Sequence, residues 1–160
     1  MVIRSLFVAV LLSLGTAMAR EEVRFVLPPP AATVAASSHD VEALLAAIRM
    51  REGAPRGETG SDGGRGHYQF MPKTWRQHTT LPLSYASRRA VADQIARAHL
   101  EWLEKTLLAA GVEPTPYRLA MAWNAGVGAV LRDSAPSRAR RYAEHVSNLY
   151  HDFLTSGYQS

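Results

Sequence analysis

One apolar stripe, and the residue that ends it, constrain the fold of this chain more than any other feature. Leu44, Leu45, Ile48 and Glu52 follow Val41 at offsets of 3, 4, 7 and 11. Those offsets return to one face of a helix whose period is about 3.6 residues. The spacing predicts a helix over 40–52 with Val41, Leu44, Leu45 and Ile48 turned inward. It also places Glu52 on that same inward face, where a carboxylate is costly unless it is paired or protonated. Gly53 and Pro55 follow at once and stop the helix. A loop with Gly57, Gly60, Gly63, Gly64 and Gly66 comes next. A half-buried Glu at a helix end, facing a glycine-rich loop, is how a fold keeps a carboxylic acid protonated near neutral pH.

The rest of the chain reads as further helices. Pro72 starts a short one to His78. Ser87 is placed to cap a long helix to Ala110, with Val91, Ile95, Trp102, Leu103 and Leu107 as apolar positions. Thr115-Pro116 opens a helix to Ala125, interrupted by Gly126 and Gly128. A last helix over 137–156 carries Tyr142, Val146, Leu149, Tyr150 and Phe153 on one stripe, and Gly157 closes it. Strand signal is slight; only His67 to Met71 reads as a segment that can extend. The expected fold class is mostly α, a compact helical domain with a glycine-rich loop and little or no strand.

The N-terminus has the pattern of an export signal. Arg4 supplies a positive start, Leu6 to Leu14 is apolar apart from Ser13, and Ala17-Met18-Ala19 is a small-x-small cleavage site. That apolar run is shorter than the roughly 20 residues a membrane-spanning helix needs. The expectation is a signal peptide over 1–19, cleaved after Ala19, and an exported, periplasmic protein. Residues 20–38, with Pro28-Pro29-Pro30 followed by Ala, Thr and Ser, read as an arm or linker without a core of its own. Residues 39–160 are long enough for one domain with one core. The chain has no cysteine, which excludes thiol catalysis and Cys-ligated zinc and leaves packing to hold the domain.

The net charge is +4 with 6 histidines neutral. Mild basicity suits an anionic wall polymer. Arg88-Arg89 and Arg138, Arg140 and Arg141 read as solvated helix faces, and no nucleic-acid motif accompanies them, so no nucleic-acid partner is expected. His39, His67, His78, His99, His145 and His151 do not form the i, i+4 pair around a Glu that a zinc helix uses. No metal and no cofactor are expected.

Four pieces in order suggest chemistry. They are Glu52; Gly66-His67-Tyr68-Gln69-Phe70-Met71-Pro72 with Thr74-Trp75; Ala122-Trp123-Asn124-Ala125-Gly126; and Tyr142 with Val146. Together they resemble the lysozyme-like lytic transglycosylases of the soluble-lytic, goose-lysozyme-related type. That family usually shows a helix-ending Glu-Ser, a Gly-x-x-Gln-x-x-Pro-x-Thr segment, an Asn-Ala-Gly segment and a late Tyr. The resemblance covers roughly residues 40–153, and it departs from the pattern at Gly53, where the family has Ser.

The resemblance implies a lysozyme-like domain that cuts the β-1,4 bond between N-acetylmuramic acid and N-acetylglucosamine in peptidoglycan, leaving a 1,6-anhydro product. It implies that Glu52 is the single acid and then base, which is chemically open to one carboxyl group. It implies that Gln69 and Asn124 hydrogen-bond the sugars, as their amides can donate and accept. Tyr142 matches a tyrosine that orients the Glu, although its apolar stripe fits core packing equally. Tyr68 and Trp123 offer surfaces for sugar rings, with core packing again the alternative. Trp75 and Met71 are expected in the core. Family members of this size often serve envelope-spanning conjugation, secretion or pilus complexes, which are the partners implied here besides the glycan strands.

Two other outcomes stay open. Glu58 or Asp62 across the cleft from Glu52 would position water and make the protein a hydrolytic muramidase. The domain is otherwise a module that holds glycan without cutting it.

Overall fold

The computed structural model describes residues 39–53, 60 and 62–156. The expected signal peptide, the proline-rich arm, Gly57, Glu58 and Gly157 lie outside the described residues. Six α-helices and one 3-10 turn make up the rest, with no strand among the described residues: α1 Val41–Glu52, α2 Pro72–His78, the turn Leu83–Ser87, α3 Arg89–Ala109, α4 Pro116–Ala125, α5 Val127–Leu131 and α6 Ser137–Ser156.

Caps read from the sequence set several boundaries. The Asp40 carboxylate accepts from the Ala43 N–H at 3.0 Å and starts α1, a cap worth about 1 kcal/mol. Gly53 ends α1 at φ 63°, with its N–H on the Arg49 carbonyl. That left-handed conformation suits glycine and strains other residues. Thr115 accepts from the Arg118 N–H, and Pro116 occupies the first turn of α4.

Ser87 does not cap α3. Its hydroxyl donates to the Ser84 carbonyl at 2.7 Å within the 3-10 turn, and the helix begins at Arg89 after Arg88, without a side-chain cap. Gly126 ends α4, but Gly128 lies inside α5 and does not interrupt. The segment His67 to Met71 is a turn, closed by a single antiparallel bridge between Arg65 and Phe70.

One core joins the helices. Leu44, Leu45 and Ile48 of α1, Trp75 of α2, Ile95, Leu100, Leu103 and Leu107 of α3, Leu119 of α4 and Val146 of α6 are all buried in it. Each buried leucine or isoleucine contributes about 1.5–3 kcal/mol by leaving water. Helix α6 packs on both α4 and α1, and buried Ala46, Ala47, Ala120, Ala139 and Ala143 lie on those three helices. Small side chains at a crossing let helix axes approach. The N–H of Asp40 donates to the Tyr150 hydroxyl at 3.0 Å, tying the start of α1 to α6. Trp102, expected on the apolar stripe of α3, is 38% exposed; His99, one turn earlier, takes the inward place. No helix among the described residues is long and apolar enough to cross a membrane.

Candidate functional site

The end of α1 faces an open cleft of about 710 Å³, lined by Arg51, Glu52, Gly60, Asp62, Gly64, Gln69, Met71, Trp123, Asn124, Arg138 and Tyr142. Five of the six residues singled out from the sequence meet there: Glu52, Gln69, Trp123, Asn124 and Tyr142. They come from α1, the glycine loop and α4, and α6 supplies Tyr142.

Glu52 is half-buried at the last position of α1. The Tyr142 hydroxyl donates to its Oε1 at 2.7 Å. Burial pushes the Glu52 carboxyl above its ordinary value, against the opposing effects of the Tyr142 hydrogen bond and the Arg51 charge. Tyr142 is itself buried beside this carboxyl, and both effects hold its phenol well above its usual range. The phenol therefore stays a donor to Oε1. Tyr142 is both packed in the core and bonded to Glu52, so the two roles read for it coincide.

Gln69 is held in a rare conformation. Its φ is 49°, a left-handed geometry that costs a non-glycine residue about 1–3 kcal/mol and persists only where its surroundings enforce it. The enforcement is visible. The Gln69 Nε2 donates to the Gly66 carbonyl at 2.8 Å. A Cβ on Gly60 would meet the Gln69 Oε1 at 2.3 Å, and one on Gly64 would meet the Gln69 carbonyl oxygen at 2.7 Å. Gly66, at φ +79°, lies so close to Ala86 that a Cβ would fall 2.0 Å from its carbonyl oxygen. The glycines of the loop thus let the backbone close around Gln69.

Trp123 sits partly exposed on the wall, backed by Phe70 at 5.7 Å, Tyr68 at 6.0 Å and His99 at 5.0 Å between ring centroids. Such tilted and edge contacts favour aromatic packing and fix the indole. Asn124 follows, exposed, one residue before the end of α4.

Tyr68 does not reach the cleft. It is 1% exposed, and its hydroxyl donates to Asp93 Oδ1 at 2.7 Å while accepting from Arg49 at 3.2 Å. The turn at Gly66–Gln69 sends Gln69 toward the cleft and its predecessor Tyr68 into the core, so the ring surface read for sugar binding is a packing surface. Met71 departs the other way. It is exposed and lines the cleft, whereas Trp75 is buried, with its Nε1 donating to the Leu81 carbonyl at 2.7 Å.

Five cleft residues, Arg51, Gly60, Gly64, Met71 and Arg138, were not singled out in the sequence as site residues. Arg51 lies with its guanidinium 5.4 Å from the Tyr142 ring centroid. Arg138 was read as part of a solvated helix face but lines the cleft, while Arg140 turns to the Ala135 carbonyl and Asp133. Gly60 signalled a loop but not its close approach to Gln69. Behind Trp123, His78 Nε2 and His99 Nδ1 lie 2.9 Å apart. Burial, with a smaller contribution from His78, lowers His99 to about 4. Among the described residues no three His, Asp or Glu side chains gather as a metal site.

The arrangement places a carboxyl of raised pKa beside amide groups and an indole face in an open cleft. Compared with protein-family models, curated proteins and solved structures, the chain matches none.

Proposed function

We propose that this protein is a peptidoglycan lytic transglycosylase, and that Glu52 performs both proton transfers. The observation that carries the reading is the Glu52–Tyr142 pair: a carboxyl raised by burial, held at 2.7 Å by a phenol, on the wall of a cleft with Gln69 and Asn124. The four motif pieces read from the sequence support it, since Glu52, Gln69, Asn124 and Tyr142 come from segments far apart in the chain and line one cleft.

In this reading the protonated Glu52 gives its proton to the glycosidic oxygen between N-acetylmuramic acid and N-acetylglucosamine, and the bond from that oxygen to the muramyl C1 breaks. The carboxylate left behind then takes the proton of the muramyl C6 hydroxyl. That oxygen closes on C1 to give the 1,6-anhydro ring, and Glu52 ends protonated as it began. A donor must be protonated before the first step and basic before the second, which one carboxyl of raised pKa accomplishes in sequence. Tyr142 keeps the carboxyl oriented. Gln69 and Asn124 hydrogen-bond the sugars, and Trp123 packs on a ring face. The position after Glu52, where the resembled family has Ser, serves here as the glycine cap of α1. The export signal read in residues 1–19 would deliver the enzyme to the periplasm, where its substrate lies.

A hydrolytic second reading is favoured by one observation: Asp62 lines the same cleft as Glu52 and would supply the second carboxylate that a muramidase uses.

Digestion of purified peptidoglycan by the wild-type protein and by Glu52→Gln tests the proposal. Soluble fragments from the wild type and none from the variant, with sugar binding retained, are expected. Equal release by both would remove Glu52 from the chemistry, and no release by either, with glycan bound, would make the protein a binding module.

A further inference from the structure

The cleft carries two positive charges that the cleavage steps do not use. Arg51 precedes Glu52 at the end of α1, and Arg138 lies in the first turn of α6; both are exposed and both line the cleft. Among the described residues, ion pairs engage Arg49, Arg89, Arg97, Lys105 and Arg140, and neither Arg51 nor Arg138 is in one. Asp62 is the other charged group on the walls beside Glu52. Among the described residues, with Glu52 protonated, the balance on the cleft walls is two guanidiniums against one carboxylate.

A neutral N-acetylhexosamine polymer gives these guanidiniums only hydroxyls and amides to meet. A guanidinium presents its donors as a planar fork that fits a carboxylate with two parallel hydrogen bonds, and such charge-assisted bonds are the strong ones. We propose that Arg51 and Arg138 form an anion subsite that reads carboxylates carried on the muramyl residues, so that the cleft selects acidic glycan over neutral N-acetylglucosamine polymer. The inference rests on the proposed reading of the cleft as a peptidoglycan site. Muramyl carboxylates have two sources, the peptide stems and, where stems have been removed, the lactyl group itself.

The test measures calorimetric binding to Glu52→Gln, in which turnover is silent. Three tetrasaccharides serve as probes: muropeptide with stems, the same glycan with stems removed and its lactyl carboxylates free, and neutral chitotetraose. At low salt an acidic tetrasaccharide should bind on the order of ten-fold more tightly than chitotetraose, and the gap should shrink at high salt. Adding Arg138→Gln should narrow the gap about five-fold, and Arg138→Glu should narrow it further. Whichever acidic probe shows the larger gap identifies the source. Equal affinity for all three probes, or a gap that survives Arg51→Gln with Arg138→Gln, would overturn the subsite while leaving the cleft a glycan site. Binding of none of them would take down the glycan reading as well.

The pH–rate profile separates the two arginines. Arg51 opposes the raised pKa of Glu52, so Arg51→Gln should move the alkaline fall in activity upward, and Arg138→Gln should not.

Discussion

Two tyrosine–carboxylate pairs in this molecule share one geometry and differ in everything around it. Tyr142 donates to Glu52 at 2.7 Å, and Tyr68 donates to Asp93 at 2.7 Å. The Asp93 carboxylate also meets the guanidiniums of Arg89 at 2.8 Å and Arg49 at 3.5 Å. Glu52 has no guanidinium within ion-pair distance among the described residues; the charge of Arg51 acts on it only from a distance, with the guanidinium 5.4 Å from the Tyr142 ring centroid. A carboxylate surrounded by cations and a phenol is satisfied as an anion, and its network ties α1, the turn before α2 and α3 together. A carboxylate that is half-buried with a phenol alone gains less from ionising, and burial holds it toward its acid form. The same hydrogen bond is structural in one place and suited to proton transfer in the other, and the guanidiniums of Arg49 and Arg89 around Asp93 make the difference.

Exchanging the carboxylates breaks the comparison most severely. Glu52→Gln should lower cleavage by about a thousand-fold, the scale of general acid–base catalysis, and leave the melting temperature no lower than that of the wild type. Asp93→Asn should do the opposite. It removes the charge that Arg49, Arg89 and Tyr68 share and should cost about 2 kcal/mol in denaturant unfolding, with cleavage within a few-fold of the wild type. Loss of activity in Asp93→Asn at full stability would show that the two pairs are not separate in role.

Removing the hydroxyls is a milder version. Tyr142→Phe should reduce the rate about ten-fold by loosening the acid, an effect on the scale of one lost hydrogen bond. Its pH dependence follows from sign. The acid must be protonated, so activity falls as pH rises through the Glu52 pKa. The Tyr142 bond lowers that pKa, so its loss should carry the fall to higher pH. Tyr68→Phe should leave the pH profile in place and cost about 1 kcal/mol of stability.

The smallest effect sharpens the electrostatic difference. A carboxyl whose folded pKa is raised gives stability that is full below its unfolded value and is lost as pH rises through the folded one. The melting temperature of Glu52→Gln should therefore equal that of the wild type in acid, rise above it as pH passes from the unfolded to the folded pKa of Glu52, and hold a constant lead beyond that. A constant offset at all pH values would mean that burial does not perturb Glu52.

The sequence carried these pairs unequally. Glu52 was readable because its helical offset put a charge on an apolar face, a matter of local periodicity. Tyr142 was singled out by its match to the resembled family's late tyrosine, while its stripe spoke only for core packing. The side taken by Tyr68 was not readable, because it is decided by the turn at Gly66 and by Asp93, which lies 25 residues away. Met71 reached the cleft, and Arg138, exposed as expected, lines it too, for reasons of the same kind: what a side chain at a helix start faces depends on what packs beside it. Ser87 looked like a cap by its type and place, but the 3-10 turn before α3 takes its hydroxyl. Helix existence and most caps were thus local properties, while the aim of loop and helix-end side chains was a tertiary one.

The central claim is that one carboxyl serves as acid and then as base. Mass spectrometry of the soluble fragments released from purified peptidoglycan tests it most directly. The account predicts muramyl ends lighter than the hydrolytic product by one water, the signature of the anhydro ring. Ordinary reducing ends would contradict it and direct attention to Asp62 as the group that positions water.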